Sequence, residues 1–188
     1  IHWKASARKN DIMTKEFEQR QTHDLLIVLD RAPNPSFEAA VTFAASAIRA
    51  ILKKGAEVGL YSYGKKREYF PAYRGDFQQR KLFYHLAKAE DEASFPLYKV
   101  IEQEPMFANQ NRSILFIVCQ WDQKTIDKIC SIKKKKGNII VFLVIGKKEK
   151  IAKRDLDLMD YARKRGLYAK ILTEADFGGA FGKGEWAI

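Results

Sequence analysis

The chain has 188 residues, of which 46% are hydrophobic and 30% charged, with a formal net charge of +11 at pH 7. That balance excludes global disorder and suits one sizeable domain with a substantial core. The longest apolar run, Ile139 to Ile145, falls far short of the roughly 20 residues that cross a bilayer, which excludes a membrane span within the sequence.

The opening residues Ile1–His2–Trp3–Lys4 contain neither an initiator Met nor a basic start followed by an apolar stretch. No signal peptide is expected, and the chain reads as a fragment of something longer. After a lead-in segment (residues 1–23), the run Leu25–Asp30, LLIVLD, is apolar throughout and ends in an acid, as buried central strands do. The turn Ala32–Pro33–Asn34–Pro35–Ser36 leads into a helix, because Phe37, Ala40, Val41, Ala44, Ile48, Ile51 and Leu52 recur at helical spacing up to Gly55. Val58–Tyr63 predicts a strand, and Arg67–Phe70 predicts a short edge strand beyond the Gly64 turn. Helices follow over Phe77–Ala89 and from Leu97 to about Glu104, separated by the acidic patch Glu90–Asp91–Glu92. Ile114–Cys119, ILFIVC, is a second buried strand. Asp122–Lys135 is a helix closed by Gly137, and Ile139–Ile145, IIVFLVI, is a third apolar strand. A helix over Leu156–Lys164, ending at Gly166, and a short strand over Tyr168–Leu172 complete the domain (24–176). The tail (177–188) is Gly-rich.

Alternating strands and helices predict an α/β fold of three layers: a mostly parallel central sheet with helices on both faces. LLIVLD, ILFIVC and IIVFLVI should lie side by side. In such a sheet, ligands bind beyond the carboxyl ends of the strands where the strand order reverses. Those ends bring forward Asp30 and Asn34 on one side, and Gln120, Trp121 and Asp122 on the other. Asp30 and Asn34 supply side-chain oxygens at alternate positions, while Ala32 supplies none. A hard cation wants about six oxygens, so a divalent metal is poorly served. The plainer reading gives Asp30 and Asn34 to the turn, and Asp122 to the N-terminus of its helix.

Other groups point to no chemistry. Cys119 and Cys130 sit in apolar patterns and read as reduced core thiols, consistent with a cytoplasmic setting. His2, His23 and His85 have no metal-ligand spacing. Gly178, Gly182, Lys183 and Gly184 lack the spacing, the Ser or Thr and the following helix of a phosphate loop. There is no nucleophile elbow, no HExxH and no dinucleotide fingerprint. Cys119 with His85 is the dyad left open, but a Cys inside ILFIVC is most simply a core residue. Positive charge favours acidic partners, nucleic acid or an anionic membrane face. The run Lys133–Lys136 carries no interleaved aromatics and lies where cations suit a helix C-terminus.

The opening Ile1–His2–Trp3–Lys4–Ala5–Ser6–Ala7–Arg8, followed by Lys15–Glu16–Phe17–Glu18 and LLIVLD, resembles the bacterial domain-of-unknown-function-58 family, whose members carry a von Willebrand factor A-like domain. The resemblance implies a cytoplasmic portion that follows two membrane helices, and an assembly or chaperone-like role beside AAA+ ATPases of the MoxR type. A-domains bind partners through a metal-dependent adhesion site that opens with Asp-x-Ser-x-Ser. Asp30 matches the Asp, whereas Ala32 and Asn34 replace the serines, and the later Asp falls near Gln120–Asp122. The resemblance therefore implies a degenerate site with no metal or other cofactor.

The expectation is a non-enzymatic protein-binding module whose partner, a MoxR-type ATPase, meets Asp30, Asn34, Gln120 and Asp122. Its setting is the cytoplasmic side of the cell membrane. The alternative is nucleic-acid or anionic-membrane binding through a basic surface that includes Lys133–Lys136 and Lys147–Lys153.

Overall fold

Strand β1, Asp24–Asp30, buries Leu25 through Leu29 completely, so it has neighbours on both edges and cover on both faces. A computed structural model describes residues 24–107, 112–133 and 138–178. After β1 come helix α1, Phe37–Lys53, and strands β2, Glu57–Tyr63, and β3, Arg67–Tyr73. Helices α2, Asp76–Leu86, and α3, Leu97–Gln103, lead to strand β4, Ser113–Val118. Helix α4, Gln123–Lys133, strand β5, Ile139–Ile145, helix α5, Lys153–Lys164, and strand β6, Tyr168–Thr173, follow.

The strand order is β3-β2-β1-β4-β5-β6. Every pairing is parallel except β2 with β3. The three apolar runs of the sequence thus lie side by side as β1, β4 and β5, and the order reverses between β1 and β4. Alternate residues of β1 face opposite layers. Leu25, Ile27 and Leu29 pack with Phe43 and Ala47 of α1 and Leu82 of α2. Leu26 and Val28 pack with Val100 of α3, Ile129 of α4 and Ala162 of α5. Helices therefore cover both faces, as the alternation of elements predicts.

Helix α1 forms because Ala40, Phe43, Ala44, Ala47, Ile48 and Ile51 fall on one buried face. It ends at Lys54, and Gly55 takes the positive φ of 81° that turns the chain toward β2. Strand β3 runs three residues beyond the expected Phe70, through Pro71. Among the described residues only β2 pairs with it, so the missing N–H of Pro71 breaks no ladder there. Its register against β2 shifts between Val58 and Leu60. At the intervening Gly59 a Cβ would lie 2.9 Å from the Phe70 carbonyl oxygen. Gln78 of α2 is fully inside this irregularity. Its Nε2 donates to the carbonyls of Val58 (2.8 Å) and Pro71 (2.9 Å), which seats α2 over the sheet edge.

The first described element starts at Asp24, and a 3₁₀ turn over Glu174–Asp176 is the last. Phe177, assigned to the tail from sequence, packs its ring 5.1 Å from that of Phe43. The lead-in and its family motif, Lys134–Lys136, Gly137 and residues 179–188 lie outside the described residues.

Candidate functional site

At the carboxyl end of β1, Asp30 is 4% exposed. Its Oδ1 accepts a hydrogen bond from the Ala32 N–H at 3.1 Å. Burial pushes its pKa up to about 6, and only that N–H works against the shift. The next residue, Arg31, points to the other face of the sheet. There its guanidinium donates to the carboxylates of Glu68 (3.2 Å) and Glu92 (3.0 Å) and to the Glu90 backbone carbonyl (2.7 Å).

Asn34 holds the turn together. Its Oδ1 accepts from the Ser36 N–H at 2.8 Å, and its Nδ2 donates to the Cys119 carbonyl at 3.4 Å. Its own N–H donates to Asp91 Oδ2 at 3.2 Å. Ser36 caps α1 with no side-chain bond; its Oγ instead accepts from the Gly146 N–H at 2.9 Å, tying the end of β1 to the end of β5.

At the carboxyl end of β4, Asp122 Oδ1 accepts the Thr125 N–H at 2.8 Å, so the acid caps the N-terminus of α4. Trp121 is 6% exposed, and its indole N–H has no hydrogen-bond partner among the described residues. Between the two strand ends lies a crevice of about 230 Å³ lined by Asp30, Ala32, Gln120, Trp121, Asp122 and Thr125. Pro96 and Leu97 close it from α3, and Arg154 and Asp155 from α5. Three of the four residues singled out from sequence meet here. Asn34 does not line the crevice; its amide is used in the turn.

Sequence reasoning missed Thr125, Arg154 and Asp155. It began α5 at Leu156, where apolar periodicity begins, whereas the helix starts at Lys153. The signal was Asp155 itself, which accepts the Ala152 N–H at 3.3 Å in the manner of a helix-start acid.

The donor set does not fit a resident divalent ion. Ala32 has no side-chain oxygen, Asn34 Oδ1 is held by Ser36, and Asp122 Oδ1 is held by Thr125. A hard cation wants about six oxygens. Among the described residues no group of three or more His, Cys, Asp or Glu is placed to hold a metal.

Both cysteines are free and buried. Burial pushes the Cys119 thiol up to about 12, and its charged neighbours are Asp30 and Asp91 rather than His85. The His85 ring lies against Phe70, tilted by 51° with centroids 4.9 Å apart, and faces Glu68. Of the lysines in the two basic runs, Lys133 donates to the Gly166 carbonyl, and Lys147 pairs with Glu174 at 3.0 Å. Among the described residues no helix is long and apolar enough to cross a membrane.

The model of a family described as protein of unknown function DUF58 matches residues 1–163. The chain is 29% identical over 172 residues to the uncharacterized protein YeaD of Bacillus subtilis (strain 168), covering 92% of this chain and 43% of that protein. It thus spans less than half the length of this curated relative. Among solved structures, a von Willebrand factor type A protein from Catenulispora acidiphila matches with a TM-score of 0.54 at 11% identity. That match covers 85% of this chain and 41% of the other. An aerotolerance-related membrane protein from Bacteroides fragilis NCTC 9343 matches with a TM-score of 0.52 at 10% identity, covering 86% of this chain and 99% of the other. The shared fold is of von Willebrand A type.

Proposed function

The chain belongs to the DUF58 family, and on that premise we propose that it is a non-enzymatic protein-binding module of A-domain type. Its partner seats a side chain in the crevice at Asp30, Gln120 and Asp122, whose rim the Asn34 turn shapes. The carrying observation is the unpaired indole N–H of Trp121 in the same small cavity as the buried carboxyl of Asp30. A buried polar group without a partner is costly, and a partner side chain that satisfies the indole beside Asp30 gains from that cost. At about 230 Å³ the crevice is smaller than the roughly 300–1,000 Å³ of small-molecule pockets. An inserted side chain suits it better than a free metabolite.

In this reading the adhesion site has lost its metal and kept its place at the switch point of the sheet. The partner is a MoxR-type AAA+ ATPase, and the domain is the cytoplasmic part of a membrane-anchored protein. The aerotolerance-related membrane protein that shares this fold supports that setting. The test is capture of partners from native cells by the full-length protein, with and without nuclease, beside Gln120→Arg, which fills the crevice from an exposed position. Nuclease-resistant capture of an ATPase, lost in Gln120→Arg, is expected. Capture that disappears with nuclease would favour the nucleic-acid reading through the basic surface. Capture untouched by Gln120→Arg would remove the crevice from the interface.

A further inference from the structure

On the face of the sheet opposite the crevice, α2 and β3 wall a groove of about 1030 Å³. Phe77, Arg80, Lys81 and Tyr84 line it from α2 at the spacing of a single helix face. Phe77 and Tyr84, two turns apart on that face, are 75% and 66% exposed, and with Phe70 they give the groove the apolar surface of an interaction site. Phe70 of β3 forms part of the floor.

Charge in the groove is lopsided. Its two acids, Glu68 and Glu92, are both held by the buried Arg31, and Glu92 also by Lys65 at 3.1 Å. Lys66, Arg80 and Lys81 have no carboxylate partner among the described residues. One floor group is also unsatisfied. His85 is 9% exposed, its Nδ1 lies 3.6 Å from Glu68 Oε1, and its Nε2 is buried with no partner among the described residues.

We propose that this groove docks an acidic peptide segment of a partner protein. The segment lays apolar side chains on Phe70, Phe77 and Tyr84 and sets its carboxylates against Lys66, Arg80 and Lys81. A nucleic-acid strand would carry a phosphate at every step, including the steps over Glu68 and Glu92. A peptide places its acids only where its sequence puts them, so the mixed floor selects a peptide. The inference rests on the protein-binding reading and names a second contact, independent of the crevice.

The experiment is fluorescence anisotropy with the full-length protein. The probes are a labelled peptide alternating Glu with Leu and Phe, its twin with Lys for Glu, and a labelled oligothymidylate. The acidic peptide should bind and weaken with salt, and the Lys twin should not bind. The double change Arg80→Glu with Lys81→Glu should lose at least about tenfold in affinity, because two attractive charges become repulsive. Phe77→Ser should weaken binding as well, and Lys164→Glu, at the end of α5, should not. All these positions are exposed, so thermal melts should coincide with the parent's. Peptide affinity unchanged by the double charge reversal, or equal binding of the Lys twin, overturns the proposal. Tighter binding of the oligothymidylate assigns the groove to nucleic acid and overturns it too. Loss through Gln120→Arg instead of through the α2 changes would move the acidic segment to the crevice, ending the groove proposal while the protein-binding reading stands.

Discussion

Asp30 holds a proton more tightly in the folded chain than in the unfolded one, because burial opposes its charge. The sign follows from proton binding. Its stabilising contribution is complete below the ordinary value of 3.8 and is lost as pH rises through about 6. Asp30→Asn keeps the oxygen that accepts the Ala32 N–H and removes the buried charge. The variant should therefore melt above the parent near neutral pH, by up to about 3 kcal/mol of stability, with the gap closing toward pH 4 or so. Thermal unfolding of both proteins across that range is the check, and a gap independent of pH would be the wrong result. The same residue decides the metal question. Millimolar Mg²⁺ or Mn²⁺ should leave the melting temperature nearly unchanged, since stabilisation requires ligand well above its dissociation constant. A clear rise abolished by Asp30→Ala would restore a working adhesion site. The capping role of Asp122 was legible because a cap is local: an acid just before a helix. The desolvation of Asp30 was not, because it depends on α3 and α4, which arrive from distant sequence.

Among the elements, α2 has the most unusual anchor. Gln78 satisfies two carbonyls at the β2–β3 irregularity with one amide. Gln78→Leu leaves both carbonyls without that donor in a buried place, a cost of about 2–5 kcal/mol. Urea unfolding should show the midpoint fall with the slope unchanged, and a loss below about 1 kcal/mol would mean that the bonds matter little. Where apolar periodicity sets an element, as in LLIVLD, ILFIVC and IIVFLVI, the expected boundaries hold to within a residue or so. Where it does not, they fail for identifiable reasons. Pro71 made β3 look finished at Phe70, although an edge strand tolerates proline. Lys153–Arg154–Asp155 carries no apolar residue, so periodicity marks neither the first turn of α5 nor its two crevice residues. Gln78 gave no signal at all, since a β-irregularity forms only once two strands are paired.

At the scale of the molecule, the surplus of positive charge is partly structural. Lys133 and Lys147 bind groups of their own chain, and Arg31 is locked beneath β3. Retention on nucleic acid should accordingly be weak and should vanish steeply with salt. Tight binding at physiological salt, lost when Lys133–Lys136 become Glu, would reverse that expectation. The position of β1 has a consequence in time rather than in space. Leu25 takes its place beside Val58 on one edge but must wait for Ser113 on the other. A chain emerging from the ribosome thus carries a strand, apolar on both faces, with one open edge until β4 is made. Such an edge is a template for any other strand it meets. A fragment ending before Ser113 should precipitate on refolding where the whole chain returns to solution, and the slowest refolding step should be the late union of β1 with β4, the pairing of widest sequence separation on which the rest of the sheet depends.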